Sequence, residues 1–197
     1  MNFAHWRTLA VTTVTDPAAA ARQIMSMDIP REALWVALAL AVVLNTTIQA
    51  AMNLAFPPTE GMLPGMGPGL GAYAAIVGGG LILTIVAIHR VGRWMGGQGS
   101  FTDIMALMVW MQFLRVFVQA AGFVLLLVVP ILSALLALAA SLIGLYIFLN
   151  FIDQAHRLGS IWRAAGVLIV SVFAIVFALF ILLSIAGAPL TGSAAYV

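Results

Sequence analysis

The 197-residue chain is 64% hydrophobic and 7% charged, with a mean hydropathy of +1.16, against roughly 45–50% apolar and 25% charged residues in a soluble domain. That composition belongs to a polytopic membrane protein and excludes a soluble enzyme domain. The net charge of +2 rests on arginines alone, too few for a nucleic-acid surface, and the absence of cysteine excludes disulfides, thiolate metal clusters and cysteine nucleophiles.

Residues 1–30 are the longest polar stretch and lack the apolar core and cleavage site of a secretory signal. Asp16, Pro17 and the alanines at 18–21 read as an N-cap, a first-turn proline and a short helix reaching about Met27. Its mixed faces, with Phe3 and Trp6 upstream, suit an amphipathic helix in the headgroup layer. A solvated tail packed loosely under a helix bundle is the other reading.

The first span covers residues 33–56, with Trp35 as an interfacial anchor at its start. Inside it Asn45, Gln49 and Asn53 recur every fourth residue and, with Thr46, form a polar stripe along one helical face. Residues 57–69 are turn chemistry with one acid, Glu60. Their GxGxG spacing is no nucleotide loop, since no strand precedes it and a proline interrupts it. The second span, 70–90, contains Tyr73 and a glycine triplet at 78–80 suited to tight helix packing, and ends at His89, Arg90 and Arg93. In the following loop, RVGRWMGGQGSFTD, glycines terminate one helix and Ser100 with Asp103 starts the next as a capping box.

The third span, 103–129, carries Gln112, Arg115 and Gln119 near its middle. A guanidinium at that depth costs about 2.5–3.5 kcal/mol on insertion scales, so Arg115 is expected to face protein or trapped water. Pro130 then separates it from a fourth span, 131–152, as a tight hairpin. The next polar loop holds Asp153, Gln154, His156, Arg157, Gly159, Ser160 and Arg163, with Gly159 expected to end one helix and Ser160 to cap the next. A fifth span, 164–186, is almost purely aliphatic and aromatic and reads as lipid-facing. Gly187 and Pro189 stop it before a short tail, 191–197.

Every arginine outside the spans lies before the first, after the second, or between the fourth and fifth. The positive-inside rule then predicts a cytoplasmic N-terminus, an external C-terminus and an odd number of spans. The fold expected is all-α: five transmembrane helices, residues 31–190, preceded by the interfacial helix. Equal depth from the cytoplasmic side groups Asn45, Gln49 and Asn53 with Gln112, Arg115 and Gln119 as one buried intramembrane cluster. It is either a site for an anion, a carboxylate or a lipid headgroup, or a purely structural tie between spans. Arg90, Arg93, Asp153, His156 and Arg157 are the candidate contacts on the cytoplasmic face.

The DPAAAARQI lead-in, the PREALW start of the first span, the GGQGSF loop before the third and the five-span pattern together resemble the Yip family of Rab-interacting membrane proteins, in its bacterial branch. The resemblance covers nearly the whole chain and implies a cytoplasmic N-terminus and five helices. Eukaryotic members are linked to vesicle traffic, membrane shaping and binding of prenylated small GTPases. Their Asp-Leu-Tyr-Gly-Pro motif is absent here, where the chain reads Met27, Asp28, Ile29, Pro30, Arg31, so GTPase binding is not carried over.

The expected function is that of a non-enzymatic adaptor or scaffold for other membrane proteins or lipids in a bacterial inner membrane. Its partners are the bilayer and either other membrane proteins or its own copies, with no nucleic acid and no cofactor. A small transporter, channel or lipid-binding protein working through the Arg115 cluster is the alternative. Catalysis is not expected, because no nucleophile, base and orienting group fall together. A metal site is not expected either, because His5, His89 and His156 lack paired spacing on one helix.

Overall fold

The computed structural model describes residues 3–56 and 69–185, and among them every regular element is helical. In order these are α1 (Phe3–Thr15), α2 (Pro17–Met25), α3 (Arg31–Ala55), α4 (Leu70–Trp94), α5 (Phe101–Val128), α6 (Pro130–His156) and α7 (Ile161–Ile185). Five of them, α3 to α7, are long and apolar enough to cross a membrane. The Glu60 loop, the stop at Gly187 and Pro189 and the tail 191–197 lie outside the described residues.

Local chemistry sets several helix ends as expected. The Asp16 carboxylate accepts from the Ala19 amide at 3.0 Å with Pro17 in the first turn of α2. The Ser100 hydroxyl accepts from the Asp103 amide at 3.0 Å and donates to its carboxylate at 2.6 Å. Other ends differ. α4 runs on to Trp94 and α6 to His156, past the residues 90 and 152 where their hydrophobic runs stop, because α4 meets no glycine with positive φ before Gly96. Arg157, not Gly159, ends α6 by taking the left-handed conformation, φ 55°. Ser160 enters the turn through its amide, which donates to the Asp153 carboxylate at 2.8 Å.

The five long helices form a ring in the order α3, α5, α6, α7, α4, with α4 also meeting α5 across the middle. The ends where α3, α5 and α7 begin and α4 and α6 finish lie together, as shown by Arg31 Nε donating to Thr102 Oγ1 at 3.1 Å and by the edge-on packing of His89 on Phe101. This is the basic end, and all five tryptophans sit in its half of the molecule, with Trp35, Trp94 and Trp162 exposed at the helix rim. A belt of this kind marks a membrane interface.

The core lies in that half and stops a little past the middle of the bundle. α3 buries Leu34, Leu38, Ala41 and Asn45, its first residues; α4 buries only from Leu81 onward. Between Val116 and Ile147, along the rest of α5 and most of α6, no residue is buried. Of the glycine triplet only Gly78 faces a neighbour, Val42 of α3, while Gly79 and Gly80 have open space. α7 buries the stripe Ala164, Val167 and Ser171, half-buries Leu168 and Val170 beside it, and exposes much of its outer face.

The N-terminal residues form two helices where one was expected. α2 does not pack loosely: Ala20 and Ala21 are fully buried and Ile24 nearly so, because alanines let it lie close against α6 and α5. α1 is held by Thr13, whose hydroxyl donates to Leu9 O at 2.7 Å and accepts from the Trp110 indole at 3.0 Å, while Trp6 stacks on Trp110 with centroids 5.7 Å apart.

Candidate functional site

Two places concentrate polar chemistry: the end of α6 at the basic end, and the middle of α5.

His156, the last residue of α6, is fully buried. The chain from α4 to α5 is wrapped around its ring. The Gly99 amide donates to Nδ1 at 3.3 Å, the Gln98 amide donates to the His156 carbonyl at 3.0 Å, and Nε2 lies 3.1 Å from the Ile88 carbonyl. An Nδ1 that accepts leaves the proton on Nε2, where it is donated to Ile88; the imidazole is a neutral bridge between two backbone segments. Gly92, Gly97 and Gly99 are small because the ring occupies their side-chain space. A Cβ at Gly97 would stand 2.6 Å from Nδ1, one at Gly99 2.8 Å, and one at Gly92 would run into Nε2. Both ring nitrogens are thereby engaged with backbone and the ring is closed off from solvent.

The neighbouring acids are similarly engaged. Asp153 accepts from the Ser160 amide through Oδ1 and from the Gln154 side chain through Oδ2 at 3.1 Å. Gln154 in turn accepts from Arg22 of α2 at 3.0 Å, so the α6–α7 turn is linked to the N-terminal helices. Asp103 is held by Ser100. Among the described residues no group of three or more His, Asp or Glu is placed to hold a metal. Of the candidate contacts at this end, Asp153 and His156 are buried, whereas Arg90, Arg93 and Arg157 are exposed.

The middle of α5 departs from expectation. α3 does pack along α5, but the six residues Asn45, Gln49, Asn53, Gln112, Arg115 and Gln119 are not drawn into one buried cluster. Asn45 donates to Ala41 O at 2.8 Å and Gln49 to the Asn53 side chain at 2.9 Å, both within α3. Gln112 is buried, Gln119 is half-buried with Oε1 enclosed and unpartnered, and Arg115 is exposed. The reason is helical phase. α5 is buried on every side from Ile104 to Val109, but beyond that level only Gln112 and Val116 stay in the core, and at about 100° per residue Arg115 falls on the flank of that narrower line. Asn53 is also exposed.

The histidine cage was not anticipated. Its signal is the glycines Gly92, Gly97 and Gly99, spread over the last turn of α4 and the chain that leads to α5, where helix termination requires only one.

The Yip1-domain family model matches residues 11–183, which spans α2 to α6 with the end of α1 and most of α7 and supports the family resemblance of the sequence. No curated protein and no solved structure matches the chain.

Proposed function

We propose that this chain, which belongs to the Yip1-domain family, is a non-enzymatic adaptor or scaffold that holds other membrane proteins or lipids, with its basic end in the cytoplasm of a bacterial cell and its helices in the inner membrane. One observation carries the reading: the buried core stops a little past the middle of the bundle, leaving the far thirds of all five long helices without buried residues among those described. A lipid-embedded helix gains little from apolar burial alone, so association there depends on close packing and polar pairing. The far part of the bundle offers both, through glycines open to approach at Gly79, Gly80 and Gly144 and through the polar flank of α5.

The basic end suits an anchoring role. Its His and Asp side chains bond to backbone, rim tryptophans set its depth, and α1 and α2 brace it. Native mass spectrometry of protein extracted gently from its own membrane tests the proposal. A stoichiometric membrane-protein partner is the expected result; a bare protein from every mild extraction would overturn it.

A second reading has its own observation, the exposed Arg115 beside the unpartnered Gln119 Oε1. A transporter, channel or lipid-binding protein would use the Arg115 guanidinium to hold an anion or headgroup. Solute flux into liposomes containing the purified protein, abolished by Arg115→Leu, would favour that reading.

A further inference from the structure

We propose that the exposed flank of α5 around Arg115 and Gln119 is the docking face for a transmembrane helix of another protein that carries a carboxylate at mid-depth. This deepens the adaptor reading and rests on it.

Arg115 lies midway between Phe101 and Val128, the ends of α5, about 20 Å from each at about 1.5 Å per residue. It is exposed, and no partner for its guanidinium exists among the described residues. Charged groups at this depth are paired or hydrated in stable membrane proteins, which leaves the identity of the counter-charge to be found.

The described residues of this chain do not contain it. Asp16, Asp28, Glu32, Asp103 and Asp153 all lie at or before helix ends, and Glu60 falls in the stretch between α3 and α4. A second copy would therefore bring arginine and no acid to mid-depth. Lipid phosphates stand at the edges of a hydrocarbon layer about 30 Å thick. The middle of that layer is about 15 Å from either edge, farther than an arginine side chain extends.

A carboxylate on a neighbouring helix meets the requirement directly. It pairs with the planar guanidinium through two parallel hydrogen bonds. Gln119, at i+4 from Arg115, lies on the same side of α5, half-buried with its Oε1 enclosed, so the charge that meets a partner there is that of Arg115.

The test uses the full chain in phosphatidylcholine vesicles with a labelled leucine–alanine transmembrane peptide bearing one central Asp, read by Förster transfer against versions bearing Asn or Leu. The Asp peptide is expected to bind at least about tenfold more tightly than the Leu peptide. Arg115→Leu and Arg115→Gln, both outward-facing changes, are expected to erase that preference, and Arg115→Lys to retain only part of it. Equal binding of the three peptides, or a preference that survives Arg115→Leu, overturns the proposal. So does loss of the preference when phosphatidylglycerol is added, since a headgroup then takes the guanidinium. Failure of the adaptor reading looks different: no natural partner co-purifies with the wild-type chain. If a natural partner co-purifies equally with wild type and Arg115→Leu, the adaptor reading stands and this docking face is refuted.

Discussion

The cage around His156 makes a prediction that distinguishes packing from hydrogen bonding. Gly92 lies inside α4, and in a helix interior alanine is favoured over glycine by about 0.8–1 kcal/mol. The Gly92→Ala methyl collides with the imidazole, which is held on both sides by the Gly99 amide and the Ile88 carbonyl and has no room to swing aside. Overpacking of that kind costs about 1–3 kcal/mol, sometimes more, so the single change is expected to be destabilising by up to about 2 kcal/mol net. His156→Ala strips the Gly99 amide of its acceptor, at about 1–3 kcal/mol, and opens a cavity whose cost brings the total to about 3–6 kcal/mol. In the His156→Ala background the Gly92→Ala methyl meets only the void and keeps its helix-propensity gain. The sign of the Gly92 effect is therefore expected to reverse, with a coupling of about 1–3 kcal/mol in the double-mutant cycle. The assay is the apparent melting midpoint of the detergent-purified protein, followed by loss of the monodisperse peak on size exclusion. At about 2–4 °C per kcal/mol for a chain of this size, His156→Ala lowers the midpoint on the order of 10 °C, and adding Gly92→Ala recovers part of it. Additive losses would refute the steric account.

Three further substitutions probe other parts of the architecture. Thr13→Val removes the acceptor of the Trp110 indole and is expected to cost about 1 kcal/mol; hydrogen exchange across α1 should rise several-fold, and unchanged protection would show that the bond does not hold that helix. Ala20→Leu places a large side chain where α2 is fully buried against α6, and about 1–3 kcal/mol of destabilisation is expected from thermal unfolding. Arg115→Leu removes an exposed charge from mid-span; insertion-scale costs of about 2.5–3.5 kcal/mol predict a melting midpoint equal to or above that of wild type, and a marked fall would contradict the outward placement.

The sequence and the structure part company in instructive places. Five long apolar helices were legible because hydropathy integrates over some twenty residues and tolerates local error. α1 was not, since its Thr8, Thr12, Thr13 and Thr15 are weak helix formers, and what holds it, the Thr13–Trp110 bond and the Trp6–Trp110 stack, joins residues far apart in the chain. Asp16, Pro17 and the Ser100–Asp103 pair were readable because capping is decided within one turn. The Arg115 cluster failed for the converse reason. Spacing within α5 correctly groups Gln112, Arg115 and Gln119 near one face, yet the burial boundary passes between Gln112 and Arg115, and that boundary depends on how α5 is rotated against α3 and α6. His156 reads from sequence as a candidate contact on the cytoplasmic face beyond the fourth span; its role as a buried bridge appears only once α4 and α6 overrun their hydrophobic stretches and the glycines close on it.

The asymmetry along the bundle gives these pieces a common logic. A histidine that accepts at one nitrogen and donates at the other is specific about geometry, since a shift of either backbone segment orphans a buried group. Spending that specificity at the basic end fixes where α4, α5 and α6 leave it, and hence the spacing of their far thirds, where burial is absent and adaptability remains. Were the far part of the bundle itself evolved as a closed core, glycines at 79, 80 and 144 would weaken it by about 0.5–1 kcal/mol each relative to alanine with nothing packed into the space. Left open, the same glycines and the unpaired Arg115 are useful only when another helix arrives. Loosening the cage with His156→Ala is thus expected to weaken recognition of the Asp-bearing peptide although His156 is remote in sequence from Arg115. If peptide affinity stayed unchanged in a variant whose melting midpoint had fallen, the basic end would be a separate stability element with no part in presenting the docking face.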